Sequence, residues 1–115
     1  MIFDERNPEK PIRLDAAADT NFSLWHTAVF SNDGGKVVFT DEWGGGTSPN
    51  CQQSNMMEMG GNTTLTINRS AKKKLKQGAY FKIPTAQSAQ ENCVSHNGGL
   101  IPVPGRDVMV QGWYQ

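Results

Sequence analysis

The sequence lacks most of the features that mark common functional classes. Charge of one sign is missing: 11 Lys and Arg balance 11 Asp and Glu, giving a formal net charge of zero over 115 residues. A dedicated nucleic-acid binder needs a basic excess to displace phosphate counterions, so no nucleic-acid partner is expected. No apolar run approaches the roughly 18 residues that mark a membrane-spanning helix, so no transmembrane segment is expected. The opening Met1-Ile2-Phe3-Asp4-Glu5-Arg6 has no basic patch leading into an apolar stretch, so no signal peptide is visible. Cysteine is scarce. Two residues, Cys51 and Cys93, with no Cys-x-x-Cys spacing, exclude a cysteine zinc site, a thioredoxin motif and a disulfide-built mini-protein. Gly44-Gly45-Gly46 lacks the lysine and following helix of a phosphate loop. No Gly-x-Ser-x-Gly elbow occurs, and His26 with Ser31 or Ser95 gives no recognisable triad order.

What is present is β-prone. The length suits one small domain, and hydrophobic residues at 37% are too many for a disordered chain. His26-Thr27-Ala28-Val29-Phe30-Ser31 and Lys36-Val37-Val38-Phe39-Thr40-Asp41-Glu42-Trp43 flank Asn32-Asp33-Gly34-Gly35. The Asp-Gly pair supplies the positive φ of a tight turn, so the two runs form a hairpin. Further strands are expected near 63–67, 78–83, 98–101 and 107–112, beside 27–31 and 36–42. Ile2-Phe3-Asp4 reads as a strand end, and Ile12-Arg13-Leu14 as a short strand. Lys72 to Lys76 reads as a solvated turn or edge strand. Gln52 to Met59 receives no state. Pro102-Val103-Pro104-Gly105 is expected to turn a second hairpin.

The second hairpin repeats the first. His26–Trp43 laid on His96–Trp113, an offset of 70, matches His26 with His96, Gly35 with Gly105, Val38 with Val108 and Trp43 with Trp113. Repeated antiparallel units of this kind predict an all-β fold and a β-propeller, whose blades are four-stranded sheets around a channel.

Particular stretches resemble a known family. Trp25-His26-Thr27-Ala28-Val29-Phe30-Ser31-Asn32-Asp33-Gly34 and Phe39-Thr40-Asp41-Glu42-Trp43-Gly44-Gly45-Gly46-Thr47 are similar to the LVIVD-repeat proteins. So are Gln87, Gln90-Glu91-Asn92-Cys93-Val94-Ser95-His96-Asn97-Gly98 and Ile101-Pro102-Val103-Pro104-Gly105-Arg106-Asp107. Ile2-Phe3-Asp4 with Asn7-Pro8 and Pro11 resembles the tail of the repeat motif. The resemblance implies a bacterial or archaeal β-propeller protein, extracellular, periplasmic or on the cell surface, with a binding or scaffold role. It implies that residues 1–115 are part of a propeller. Repeat units would lie near 26–83 and 96–115 after an outer-strand remnant at 1–14. The remaining blades and an unidentified protein or small-molecule ligand are the implied partners. From their context alone, Cys51 and Cys93 are either free thiols or a pair. An exported protein would oxidise them to a Cys51–Cys93 disulfide.

The candidate chemistry gathers at the histidines. A hairpin centred on Asp33-Gly34 sets His26 opposite Asp41, with Glu42 adjacent. The repeat sets His96 opposite Gln111, and Glu91 and Asn97 flank it. If these strands are innermost in neighbouring blades, both rings face one channel mouth. Imidazole with carboxylate is a workable ligand set for a divalent or transition metal. His26, His96, Asp41 and Glu42 are therefore the candidate metal ligands of an alternative function, a metal-dependent oxidase or hydrolase. The plainer reading gives each histidine a blade-stabilising hydrogen bond. Met56, Met57 and Met59 read either as copper ligands or as loop filling.

Overall fold

The computed structural model describes residues 1–46, 51–52, 54–85 and 88–114. Residues 47–50, Gln87 and Gln115, which carry parts of the expected Cys51 loop, the family resemblance and the second repeat unit, lie outside the described residues.

The chain is all-β and antiparallel. The strands are β1 (Ile2–Asp4), β2 (Ile12–Asp15), β3 (Trp25–Phe30), β4 (Lys36–Asp41), β5 (Asn62–Ile67), β6 (Leu75–Phe81), β7 (Ser95–Val103) and β8 (Arg106–Trp113), with a short 3-10 turn over Trp43–Gly46. Among the described residues they form three sheets, β1-β2, β3-β4-β5-β6 and β7-β8, which close into neither a barrel nor a ring. Among the described residues no helix is long and apolar enough to cross a membrane.

The middle sheet carries the fold because its central strands, β4 and β5, are covered on both faces. Val37, Leu65 and Leu75 are buried on one face, packed by Ile2 and Ala17 from the first sheet's side. On the other face Val29, Val38 and Thr64 line a space shared with Leu100 and Met109 of the third sheet. On β4 this double covering explains why Val37-Val38-Phe39 is a continuous apolar run, whereas on β3 burial alternates and leaves Ala28 and Phe30 exposed. Phe22 closes the end of the first face against Trp25 (ring centroids 5.0 Å) and Tyr80 (6.3 Å).

Polar groups hold the connections. Asp15 Oδ2 accepts the Lys74 and Leu75 backbone N–H groups at 2.6 and 2.8 Å, tying β2 to β6, and the Leu75 bond, with the Ala16 N–H next, holds its carboxyl below the usual carboxylate range. Lys82, nearly buried, donates from Nζ to the carbonyls of Asn55 and Met56 at 3.1 and 2.8 Å. Burial lowers its pKa. The loop before β5 is thereby anchored, with Met56 and Met57 exposed on its surface. Cys51 and Cys93 stand at disulfide distance, with Cα atoms 5.1 Å apart, and pack with Val94, Trp43, Ile83 and Tyr114.

Several sequence expectations shift. β6 begins at Leu75, inside the basic run, and ends at Phe81 rather than Ile83. Pro102 and Val103 belong to β7, and only Pro104-Gly105 turns the second hairpin, with Gly105 at φ 70°. The pairing of His26 with Asp41 is overturned: Asp41 lies opposite Trp25. That of His96 with Gln111 is overturned too, since Gln111 lies opposite Gly98. The physical reason is the same in both hairpins. His26 and Thr27 together face Thr40, and His96 and Asn97 together face Gly112, each pair forming a one-residue β-bulge.

The bulges also correct the repeat. β3 maps onto β7 at an offset of 70, but the return strands map at 72, because the second turn is tighter and its arms longer. Asp41 therefore corresponds to Trp113, and Glu42 to Tyr114. The backbone agrees: Glu42 N–H donates to Leu24 O, and Tyr114 N–H to Val94 O, both at 2.9 Å. The Val38/Val108 and Trp43/Trp113 matches do not survive in space.

Candidate functional site

The two bulges stand side by side where β3 meets β7. A bulge turns two consecutive side chains toward one face, which regular alternation forbids. His26 and Thr27 both reach the third sheet. The imidazoles of His26 and His96 stack at 4.7 Å between centroids and 20° between planes. Thr27 Oγ1 donates to Asn97 Oδ1 at 3.3 Å.

Glu42 enters from the end of β4 and takes both rings. Its Oε2 lies 3.3 Å from His26 Nε2 and its Oε1 2.7 Å from His96 Nδ1. Tyr114 Oη donates to Oε1 at 3.1 Å, and its ring leans on His96 at 4.6 Å. Burial, and next the Glu42 carboxylate it bonds, raise the Tyr114 pKa. His96 Nε2 meets Asn97 Nδ2 at 3.1 Å. Despite the short approach to Glu42, the buried Nδ1 of His96 makes no aligned hydrogen bond. Glu42 is 8% exposed, and among the described residues it pairs with no lysine or arginine.

Of the four expected ligands, three meet: one atom each from His26, Glu42 and His96, all within 4.8 Å of one another. Asp41 does not join them. It is fully buried, and its carboxylate accepts Ser23 N–H, Leu24 N–H and Gly60 N–H at 3.1, 2.8 and 2.9 Å. Burial raises its pKa despite these bonds. Adjacent strand residues point to opposite faces, so Asp41 and Glu42 divide into a structural and a site carboxylate. Glu91 also stays away, accepting Ser88 N–H at 2.8 Å. Asn97 does join. Tyr114 was not among the expected residues; the signal for it is the correspondence with Glu42, hidden by the two-residue change of offset.

The junction beneath the site is closed by Ser95, fully buried. Its Oγ donates to Gly61 O at 2.8 Å and accepts Asp41 N–H at 3.0 Å, while its N–H donates to Gly60 O at 2.8 Å. Two imidazoles and a carboxylate held this way can share protons, bind a cation, or orient a ligand at the solvent side of His26. No protein-family model, curated protein or solved structure matches the chain.

Proposed function

We propose that this chain forms part of a β-propeller of the LVIVD-repeat kind, acting as a binding or scaffold module outside the cytoplasm. The observation that carries the reading is the pair of matching hairpins. β3-β4 and β7-β8 pack side by side, each bulged at a histidine, and β3-β4 continues into a four-stranded antiparallel sheet of the size of a blade. In this reading β1-β2 is the outer half of one blade and β7-β8 the inner half of another. Further blades are partners in the fold, and the His26–His96 end presents the ligand surface. The Cys51–Cys93 pair supports an oxidising compartment.

Fractionation of the source cells with thiol labelling tests the location. The reading expects protein in the envelope or medium, with neither cysteine labelled before reduction. Cytoplasmic protein with two reactive thiols overturns it. An experimental structure tests the architecture: β3 and β7 should lie innermost around an axis, and a two-layer sandwich would refute this. The convergence of His26, Glu42 and His96 favours a second reading, a metal-dependent propeller enzyme of oxidase or hydrolase type.

A further inference from the structure

We infer that His26, His96 and Glu42 form a three-ligand site for a first-row divalent transition metal of the zinc class, open to solvent on the His26 side. The inference rests on three side chains and stands or falls separately from the propeller architecture.

Charge is the first argument. A nearly buried carboxylate requires a countercharge, and Glu42 has no lysine or arginine beside it among the described residues. Two imidazoles with a metal between them supply that charge without requiring either ring to be protonated. Ligand chemistry is the second. Two imidazole nitrogens and one carboxylate suit zinc, cobalt, nickel, copper or iron, whereas calcium and magnesium prefer all-oxygen shells. Three protein ligands leave coordination positions free, the pattern of reactive rather than purely structural sites.

Geometry is the third argument. Bonds of 2.0–2.2 Å place neighbouring ligand atoms roughly 3.0–3.5 Å apart. The ligand atoms lie within 4.8 Å of one another, and the two rings, stacked 20° apart, must tilt to aim their in-plane lone pairs at one centre. The side chains of His26 and His96 are 30% and 29% exposed, which gives an ion a route in. The surroundings also fit a metal shell. Thr27 Oγ1 lies 3.2 Å from His26 Nδ1, leaving Nε2 as the ligand atom. Tyr114 Oη lies 3.4 Å from the far nitrogen of His96 and, donating its own proton to Glu42, can accept that N–H. Partners on the second ring nitrogen fix the orientation of metal-binding histidines. The unaligned, buried Nδ1 of His96 is the atom that gains most, since a metal would satisfy it where Glu42 does not.

The test is calorimetric titration of the purified protein with zinc chloride, repeated with cobalt for its visible spectrum. Zinc should bind at one per chain with roughly micromolar or tighter affinity. Cobalt should give the absorption of a site with nitrogen ligands, and added azide should change that spectrum by entering an open position. Excess magnesium or calcium should not displace either metal. His26→Ala and His96→Ala should each weaken binding at least about tenfold while near-ultraviolet circular dichroism stays unchanged. Glu42→Gln should do the same. If this buried change disturbs folding, His26→Ala, on the exposed side, still decides the matter. No zinc binding by the native protein, undiminished binding by the double histidine variant, or equal competition from calcium overturns the inference. An azide-insensitive cobalt spectrum overturns the open position. A failed propeller test leaves all these expectations standing, and a failed metal test leaves the propeller reading intact.

Discussion

Single residues at the junction carry more of the structure than their size suggests. Gly60 has φ 64°, and a Cβ there would overlap the Cys51 side chain. Its N–H holds Asp41 and its carbonyl holds Ser95. Gly60→Ala should therefore destabilise the protein by about 1–3 kcal/mol, read as a lowered urea midpoint with an unchanged slope. Asp41 gives a test with a defined sign. Its folded pKa is raised above the ordinary 3.8, so the native state holds the proton more tightly than the unfolded chain does. The stability it contributes is fully present below 3.8 and is lost as pH rises through the raised value. The stability difference between the native protein and Asp41→Asn should then shrink as urea unfolding is repeated at rising pH. A widening difference would contradict the assignment.

At the scale of elements, the long connection from β4 to β5 is the part most dependent on cross-links. The described part of this loop has no strand, yet Lys82, Asp41 and the Cys51–Cys93 pair all fasten it. Closing a separation of 42 residues stabilises by about 4 kcal/mol in the chain-entropy picture. Cys51→Ser with Cys93→Ser, or reduction, should lower stability by about 3–4 kcal/mol on denaturant unfolding. Elements whose signals are local were legible in the sequence. Gly34 at φ 64° turns the first hairpin where Asp33-Gly34 predicts it. The strand over Asn62–Ile67 follows its threonine, leucine and isoleucine pattern. The bulges were not legible, because no residue in His26-Thr27 or His96-Asn97 demands one; they show only against the partner strand. That hid the change of offset. It made Asp41 look like a site residue and concealed Tyr114, while His26, Glu42 and His96 were visible by type and position.

For the whole molecule, the interface between the middle and third sheets is apolar at its centre and polar at both ends. Val29, Val38, Leu100 and Met109 line the middle. Ser95 and the histidine cluster close one end. At the other, Asn32 donates from its N–H to Asp107 Oδ1 at 3.0 Å and from Nδ2 to Arg106 O at 2.8 Å. The two ends differ in burial, and this ranks them. Ser95→Ala removes a fully buried hydroxyl bridging Asp41 N–H and Gly61 O, which stay bonded to each other at 2.9 Å, and should cost about 1 kcal/mol; Asp107→Ala, at an exposed end, should cost less. Hydrogen exchange at the β8 amides should rise more for the serine change than for the aspartate change.

The bulge at His26-Thr27 is, in terms of chain length, a single inserted residue. Substitution at either position keeps two side chains directed at the third sheet and alters only what they are. Removing one residue of the pair keeps the Trp25–Asp41 and Ala28–Phe39 pairs but leaves one place between them instead of two. Either the imidazole beside Glu42 or the hydroxyl beside Asn97 then has a seat, and not both. The spatial pairing of a ligand with its neighbouring support thus depends on residue count, a property that a scan by substitution passes over and a scan by deletion reads directly.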